Sequence, residues 1–385
     1  MFELLFILLP VAAAYGYYMG HAAAGSRRQD DQRLRHSSYL HGVEFLLSHE
    51  QEQAVDQFIA CLDSETNPTF ENSMALGSLF RARGETDRAI ALHEALSSDT
   101  QLEQSDHELA RIELARDFVA AGLVDRAESI LLELVDIPRM RGEAAELLMR
   151  LYELGRDYSR AVATAMRYRG DLSDAALLRL SHYYCELAEH ELLAGNLHQG
   201  RVHFTRALDA APQSIRPRLG LCRIELREHA PGRAWEQLQQ AIRADAGYGP
   251  LCLGLLRECF PDPGDPGLRQ ALDELARRCQ SASAMASLVE LVAQTSRSDA
   301  EELLLAFLRD KPNLRLFSQL MQLHAGTDGG GGVLLQLKSL VDAEIARKAL
   351  YACRSCGFES QILFWQCPSC RHWESMRTQH GLDGD

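Results

Sequence analysis

Net positive charge is missing from this chain: 40 Lys and Arg stand against 54 Asp and Glu in 385 residues, a formal net charge of −14. A nucleic-acid partner calls for a basic face that displaces counterions from phosphates, so no nucleic-acid partner is expected. The last stretch, Tyr351 to Asp385, is close to neutral, with Arg354, Arg371 and Arg377 against Glu359, Glu374, Asp383 and Asp385. It carries no basic stripe.

Catalytic signatures are missing as well. There is no Gly-x-Ser-x-Gly elbow and no Gly-x-Gly-x-x-Gly turn behind a strand. His49, His93 and His107 are each followed by Glu, as on a zinc-protease helix, but Gln53, Ser97 and Arg111 stand where the second ligand belongs. The run Gly329-Gly330-Gly331-Gly332 leads into Val333-Leu334-Leu335 instead of Lys and Ser or Thr, so it reads as a linker and not a phosphate cradle. Cys61, Cys185, Cys222, Cys252, Cys259 and Cys279 fall singly in helical segments and read as small packing residues. The histidines are scattered, most on faces expected to be solvated. The chain is not expected to be an enzyme.

One long hydrophobic run opens the sequence. Residues 1–20 carry a single charge, Glu3, and match the ~20 residues that cross a bilayer, so they are expected to form a transmembrane helix. A secretory signal competes, with Ala22-Ala23-Ala24 as a cleavage-like site, but its positively charged start is missing. Arg27, Arg28, Arg33 and Arg35 make residues 21–36 a basic juxtamembrane linker and place the remainder of the chain in the cytoplasm, the N-terminus pointing outward. Ten cysteines fit a reducing compartment. Tyr15, Tyr17 and Tyr18 sit where an interfacial aromatic belt would, and Gly16-x3-Gly20 is a weak helix-packing signal that leaves room for a homodimer.

Beyond the linker, Ala, Leu, Glu and Arg dominate, with helical periodicity broken at short intervals. The small residues Ala54, Ala89, Ala127, Ala161, Gly200, Ala234, Gly267 and Ala300 are separated by 35, 38, 34, 39, 34, 33 and 33 positions. Tetratricopeptide units have a period of about 34 and a small residue at this point. Supporting marks are Leu76-Gly77, Phe80 and Gly84 in the second unit, Leu114-Ala115, Phe118 and Gly122 in the third, Tyr152 and Tyr158 in the fourth, and Pro212 and Pro312 closing the fifth and eighth. Pro261, Pro263 and Pro266 interrupt the seventh. Such hairpins cannot bury their apolar faces singly, so they stack. The expected fold is mainly α: a tetratricopeptide superhelix of about eight units over residues 37–314, whose concave face is the expected partner-binding surface. An ordinary helical bundle is the alternative. A helix from Leu314 to His324 and another from Val333 to Leu350 are expected to connect it, over residues 315–350, to a small module at 351–385.

That module holds Cys353-Arg354-Ser355-Cys356 and Cys367-Pro368-Ser369-Cys370, two Cys-x2-Cys knuckles. Each can aim two thiolates at one ion, and four protein sulfurs close a tetrahedral shell, so Cys353, Cys356, Cys367 and Cys370 are expected to hold one structural ion, zinc or iron. Tyr351, Phe358, Phe364, Trp365 and Trp373 crowd aromatic surface into a stretch too short to build a core without a staple. Gly357 suits a turn with positive φ, and Pro368 stiffens the second loop.

The N-terminal span, the repeats and the segments Tyr351-Ala352-Cys353-Arg354-Ser355-Cys356-Gly357-Phe358 and Trp365-Gln366-Cys367-Pro368-Ser369-Cys370-Arg371-His372-Trp373, finishing in Gly381-Leu382-Asp383-Gly384, together resemble the lipopolysaccharide assembly protein B family of Gram-negative bacteria. The likeness covers essentially the whole chain, and the C-terminal module of that family is called rubredoxin-like. It implies an inner-membrane, cytoplasm-facing adaptor that regulates lipid A synthesis by presenting the deacetylase LpxC to the membrane protease FtsH, and that touches other lipopolysaccharide assembly factors. The chain departs from true rubredoxins in a much shorter loop between knuckles and in Arg371, where a glycine is the usual residue after the last cysteine. An iron redox carrier tethered to the membrane, and a zinc ribbon gripping nucleic acid, are the alternatives.

Overall fold

A computed structural model describes residues 51–63, 69–325 and 331–385. The expected span at 1–20, the linker at 21–36, the start of the array and Gly329-Gly330 lie outside the described residues. Among the described residues, no helix is long and apolar enough to cross a membrane. They fall into two compact units that divide between Leu151 and Tyr152.

The first unit contains α1 (Gln51–Asp63), α2 (Phe70–Arg83), α3 (Thr86–Ser98), α4 (Gln104–Ala120) and α5 (Val124–Leu134); the division falls within α6 (Arg141–Leu154). The second holds α7 (Tyr158–Arg167), α8 (Asp174–Leu193), α9 (Leu197–Ala210), α10 (Arg216–Arg227), α11 (Pro231–Ala244), α12 (Gly249–Cys259), α13 (Pro266–Cys279), α14 (Ala282–Ala293), α15 (Arg297–Asp310), α16 (Leu314–His324) and α17 (Gly331–Ile345). A three-stranded sheet ends it: β1 (Tyr351–Cys353), β2 (Glu359–Ser360) and β3 (Met376–Thr378). The chain is a mainly helical, tetratricopeptide-like array of hairpins followed by a small sheet that carries four cysteines.

Within each unit successive helices, joined by short connections, pack against one another as hairpins. The small residues explain how closely they approach. Ala54, Ala89, Ala127, Ala161, Ala234 and Ala300 are the fourth residues of their helices and are fully buried. Gly200 holds the same place in α9, where an added Cβ would stand 2.8 Å from Leu192 Cδ2. Five residues before the small one, the hairpin turn needs a left-handed residue: Gly84, Gly122 and Gly195 supply it with φ of 86, 75 and 85°. Arg156 and His229, both at φ 56°, fill the same place in the fourth and sixth units. The turn itself does not change. Gly84 N–H donates to Arg81 O and Glu85 N–H to Phe80 O, and His229 N–H donates to Leu226 O and Ala230 N–H to Glu225 O.

Three expectations change. In the seventh unit the buried place belongs to Leu268, not Gly267: Leu268, Leu272, Leu275 and Ala276 repeat the spacing of Ala234, Leu238, Ala241 and Ile242. Gly267 is glycine because Phe260 lies over it, with Cε1 2.8 Å from where its Cβ would be. The polyglycine run is not wholly loop, since Gly331 and Gly332 begin α17, and that helix stops at Ile345 instead of Leu350. Finally, α16 packs on α14, α15 and α17, so the segment expected to be a connector continues the hairpin stacking.

Candidate metal centre

Strand β1 sits in the middle of the sheet, antiparallel to β2 and β3, with Tyr351 opposite both Ser360 and Thr378. Cys353 is the last residue of β1, so the first knuckle leaves directly from the sheet. Both knuckles make the same turn. Gly357 N–H donates to Cys353 O and Cys353 N–H to Phe358 O; Arg371 N–H donates to Cys367 O and Cys367 N–H to His372 O. The residue after each second cysteine is left-handed, Gly357 at φ 75° and Arg371 at φ 58°. Glycine is therefore replaced at the second knuckle without loss of the turn, at a steric cost of about 1–2 kcal/mol.

The turns bring the four Sγ atoms within 4.8 Å of one another. Cys353 Sγ lies 3.6 Å from Cys370 Sγ, and Cys356 Sγ lies 3.7 Å from Cys367 Sγ. Bonds of about 2.3 Å to a tetrahedral ion would set sulfurs about 3.8 Å apart, so the donor set and its spacing fit one zinc- or iron-class ion. Cys353 and Cys367 are buried and Cys356 is exposed. Burial works against ionising Cys353, but the Ser375 hydroxyl, the amides of Cys356 and Ser355 and the Cys370 thiol outweigh it and bring its pKa to about 6. The Phe358 amide holds Cys356 below its ordinary value. For Cys370 the His372 amide pulls downward, yet burial and the neighbouring thiols prevail and push it up to about 12. The first protons leave such a cluster easily and the last is retained, because thiolate charges crowd one another. A central cation would neutralise that crowding.

A family model described as a rubredoxin metal binding domain matches residues 351–378. Lipopolysaccharide assembly protein B of Escherichia coli (strain K12) is 34% identical over 393 residues, covering 100% of both chains. This chain belongs to the lipopolysaccharide assembly protein B family. The protein of that name from Haemophilus influenzae is 32% identical over 98% of both chains. Among solved structures, a tetratricopeptide repeat protein from Parabacteroides merdae covers 72% of this chain and 99% of its own at 14% identity, with a TM-score of 0.34.

In this member of the lipopolysaccharide assembly protein B family, the hairpin of the second knuckle is seated on the helices of its own unit. Trp373 and Glu374 come directly after the knuckle and face α8. The Trp373 ring stacks on His182 and meets Tyr183 edge-on at 6.3 Å. Glu153 at the end of α6 accepts from Trp373 Nε1 at 3.1 Å, Gln366 Nε2 at 2.5 Å and the Tyr183 hydroxyl at 2.5 Å. Glu374 Oε1 accepts from the Ser214 hydroxyl at 2.6 Å and lies 3.4 Å from His182 Nε2. Arg377 pairs with Asp245 at 3.2 Å and stacks over Tyr248, whose hydroxyl donates to Glu374 O. At the chain's end Asn313 Nδ2 donates to Gly381 O and Gly384 O, and Asp385 Oδ1 accepts from Ser283 N–H.

Several of these residues carry no signal in the sequence. His182 and His93 are fully buried, exceptions to the solvated faces expected of most histidines. Cys185, Cys222, Cys252 and Cys279 are buried packing residues. Burial holds the thiols of Cys185, Cys252 and Cys279 in the neutral form, Cys279 pushed up to about 11, and the Cys222 thiol is raised first by its hydrogen bond with Cys259 and then by burial. The Cys61 side chain lies outside the described residues.

Proposed function

We propose that the chain is a non-catalytic adaptor of lipopolysaccharide assembly, fixed to the inner membrane by residues 1–20 with its repeats and metal module in the cytoplasm. It presents the deacetylase LpxC to the membrane protease FtsH and touches other assembly factors. The observation that carries this is the full-length likeness to lipopolysaccharide assembly protein B, extending through the array and the four-cysteine module. The physics is effective concentration. Two proteins gathered on one tether meet almost intramolecularly, which raises the rate of their encounter by orders of magnitude with no chemistry from the scaffold.

Cys353, Cys356, Cys367 and Cys370 hold one zinc or iron ion, which when bound contributes folding free energy to a module too small to be stable alone. What the chain's own residues add is the seat. Trp373, Glu374 and Arg377 fix the second knuckle and β3 to α8, the α9–α10 turn and the segment before α12. Affinity purification of the full chain from membranes in mild detergent tests the role, with co-eluting proteins identified and metal quantified. A protease and a lipid A enzyme eluting together with about one metal ion per chain is the expected result; absence of both proteins contradicts it.

A further inference from the structure

We infer that a groove between α10, α12 and the loop joining the two cysteine knuckles is the docking site for a short apolar protein segment that carries a basic residue. This deepens the adaptor role proposed above and rests on it, by giving the client-facing surface a position and a chemistry.

The groove encloses about 490 Å³. Leu219, Leu251 and Leu255 line it from the helices, and Tyr351, Leu363 and Trp365 from the metal module. Ile362 borders it at 66% exposure, a large apolar side chain left in water beside an apolar trough.

Gly254 supplies the second observation. It lies in the interior of α12, where glycine destabilises a helix relative to alanine. Gly232 and Gly332 also have open space around them, but they stand second in α11 and α17, at helix starts. Four other helical glycines have an internal reason to be small. A Cβ on Gly77, Gly200, Gly220 or Gly249 would come within 3 Å of His93, Leu192, Phe204 or Cys279. A Cβ on Gly254 would meet nothing within 4 Å. No neighbour among the described residues uses its missing side chain. Gly254 lines the groove, and there the bare backbone lets an incoming main chain approach α12 closely.

Charge selects the occupant. Glu258, one turn beyond Gly254, lines the groove, is exposed, and makes no ion pair among the described residues. Arg223 on the opposing helix is already held by Glu189 at 3.2 Å. The groove therefore offers apolar walls and one uncommitted carboxylate, which favours a segment with Lys or Arg beside its apolar residues and repels phosphate-bearing lipid.

The test is to pan a phage library of random dodecapeptides on the detergent-solubilised full chain, then titrate fluorescein-labelled copies of the enriched peptides. Enrichment of two or more large apolar residues next to Lys or Arg is expected. Gly254→Leu, which fills the groove with a better helix former, should weaken those peptides about tenfold or more with thermal unfolding unchanged or raised. Glu258→Lys is exposed and leaves the fold alone, and it should shift the preference to an acidic flank. No enrichment, equal binding by Gly254→Leu, an acidic consensus on the wild type, or displacement by anionic lipid vesicles overturns the assignment. Equal binding by Gly254→Leu in a chain that still co-purifies with a protease and a lipid A enzyme removes the groove and leaves the adaptor role standing. Loss of co-purification alone does the reverse.

Discussion

The indole of Trp373 lies flat on the imidazole of His182, ring centroids 4.6 Å apart and planes 14° from parallel. This contact joins the second cysteine knuckle to the middle of α8, and it stacks a half-buried indole on a fully buried imidazole, their polar edges turned to Glu153 and Glu374. Trp373→Ala should cost about 3–5 kcal/mol of docking free energy, by loss of packing and an orphaned Glu153. Hydrogen exchange reads it: amides of 351–378 should lose protection while α2 to α5 keep theirs.

Acid should loosen the same seat. Burial lowers the His182 pKa below its ordinary value in spite of the Glu374 carboxylate beside it, with Arg216 adding to the lowering and Glu186 opposing it. A base whose folded pKa is depressed takes up protons more readily when unfolded, so stability present above about pH 6.5 falls as pH drops through that value. For Glu374 burial alone would raise the pKa, but His182, the Ser214 hydroxyl and Arg216 outweigh it and hold it below 4.5. Its contribution is present above 4.5 and lost as pH falls through its folded value. Tryptophan fluorescence of the module should therefore change in two stages on acidification, and His182→Gln should remove the upper one. An identical profile for the variant would show that His182 does not titrate against folding.

The metal module is legible in the sequence because its signal is local: two identical spacings and a crowd of aromatics within a few dozen residues. The hairpins are legible through the small residue at the fourth position of alternate helices. What escapes is long-range. Glu153 and Trp373 are 220 positions apart, and no periodicity in either segment announces the other. The seventh unit misleads because Gly267 is small for a different reason, the overlying Phe260. Arg156 and His229 hide two turns by adopting a conformation in which glycine is the usual clue. Gly77 is a clue to His93 that only the packing explains, since the ring occupies the space a side chain at 77 would need.

That relation gives a prediction in the first unit. A Cβ on Gly77 would collide with the His93 ring at Nε2. The ring cannot retreat freely, because His93 Nδ1 is 2.5 Å from Asp117 Oδ2 and Asp117 is also bound to Arg81 at 2.6 Å. Gly77→Ala should lose about 1–3 kcal/mol by overpacking, and the loss should shrink in a His93→Ala background. Denaturant midpoints of the four proteins give the coupling.

The knuckles predict a gain. Arg371 holds φ 58° where the equivalent Gly357 holds 75°. Arg371→Gly should relieve about 1 kcal/mol of backbone strain in the module, whereas Gly357→Ala should add about as much. Resistance to a chelator, measured as the concentration that releases metal from the full chain, should rise for the first and fall for the second. Cys353→Ser should abolish metal retention, and with it the protection of 351–378.

The most direct test of the bridging role is the rate at which purified FtsH degrades LpxC in detergent micelles as the full chain is titrated in. Bridging predicts a bell-shaped dependence: the rate rises as ternary complexes form, then falls when excess chain occupies each protein separately. Trp373→Ala should flatten the curve. No acceleration at any concentration, or a rise to a plateau that excess chain never reverses, would contradict the account.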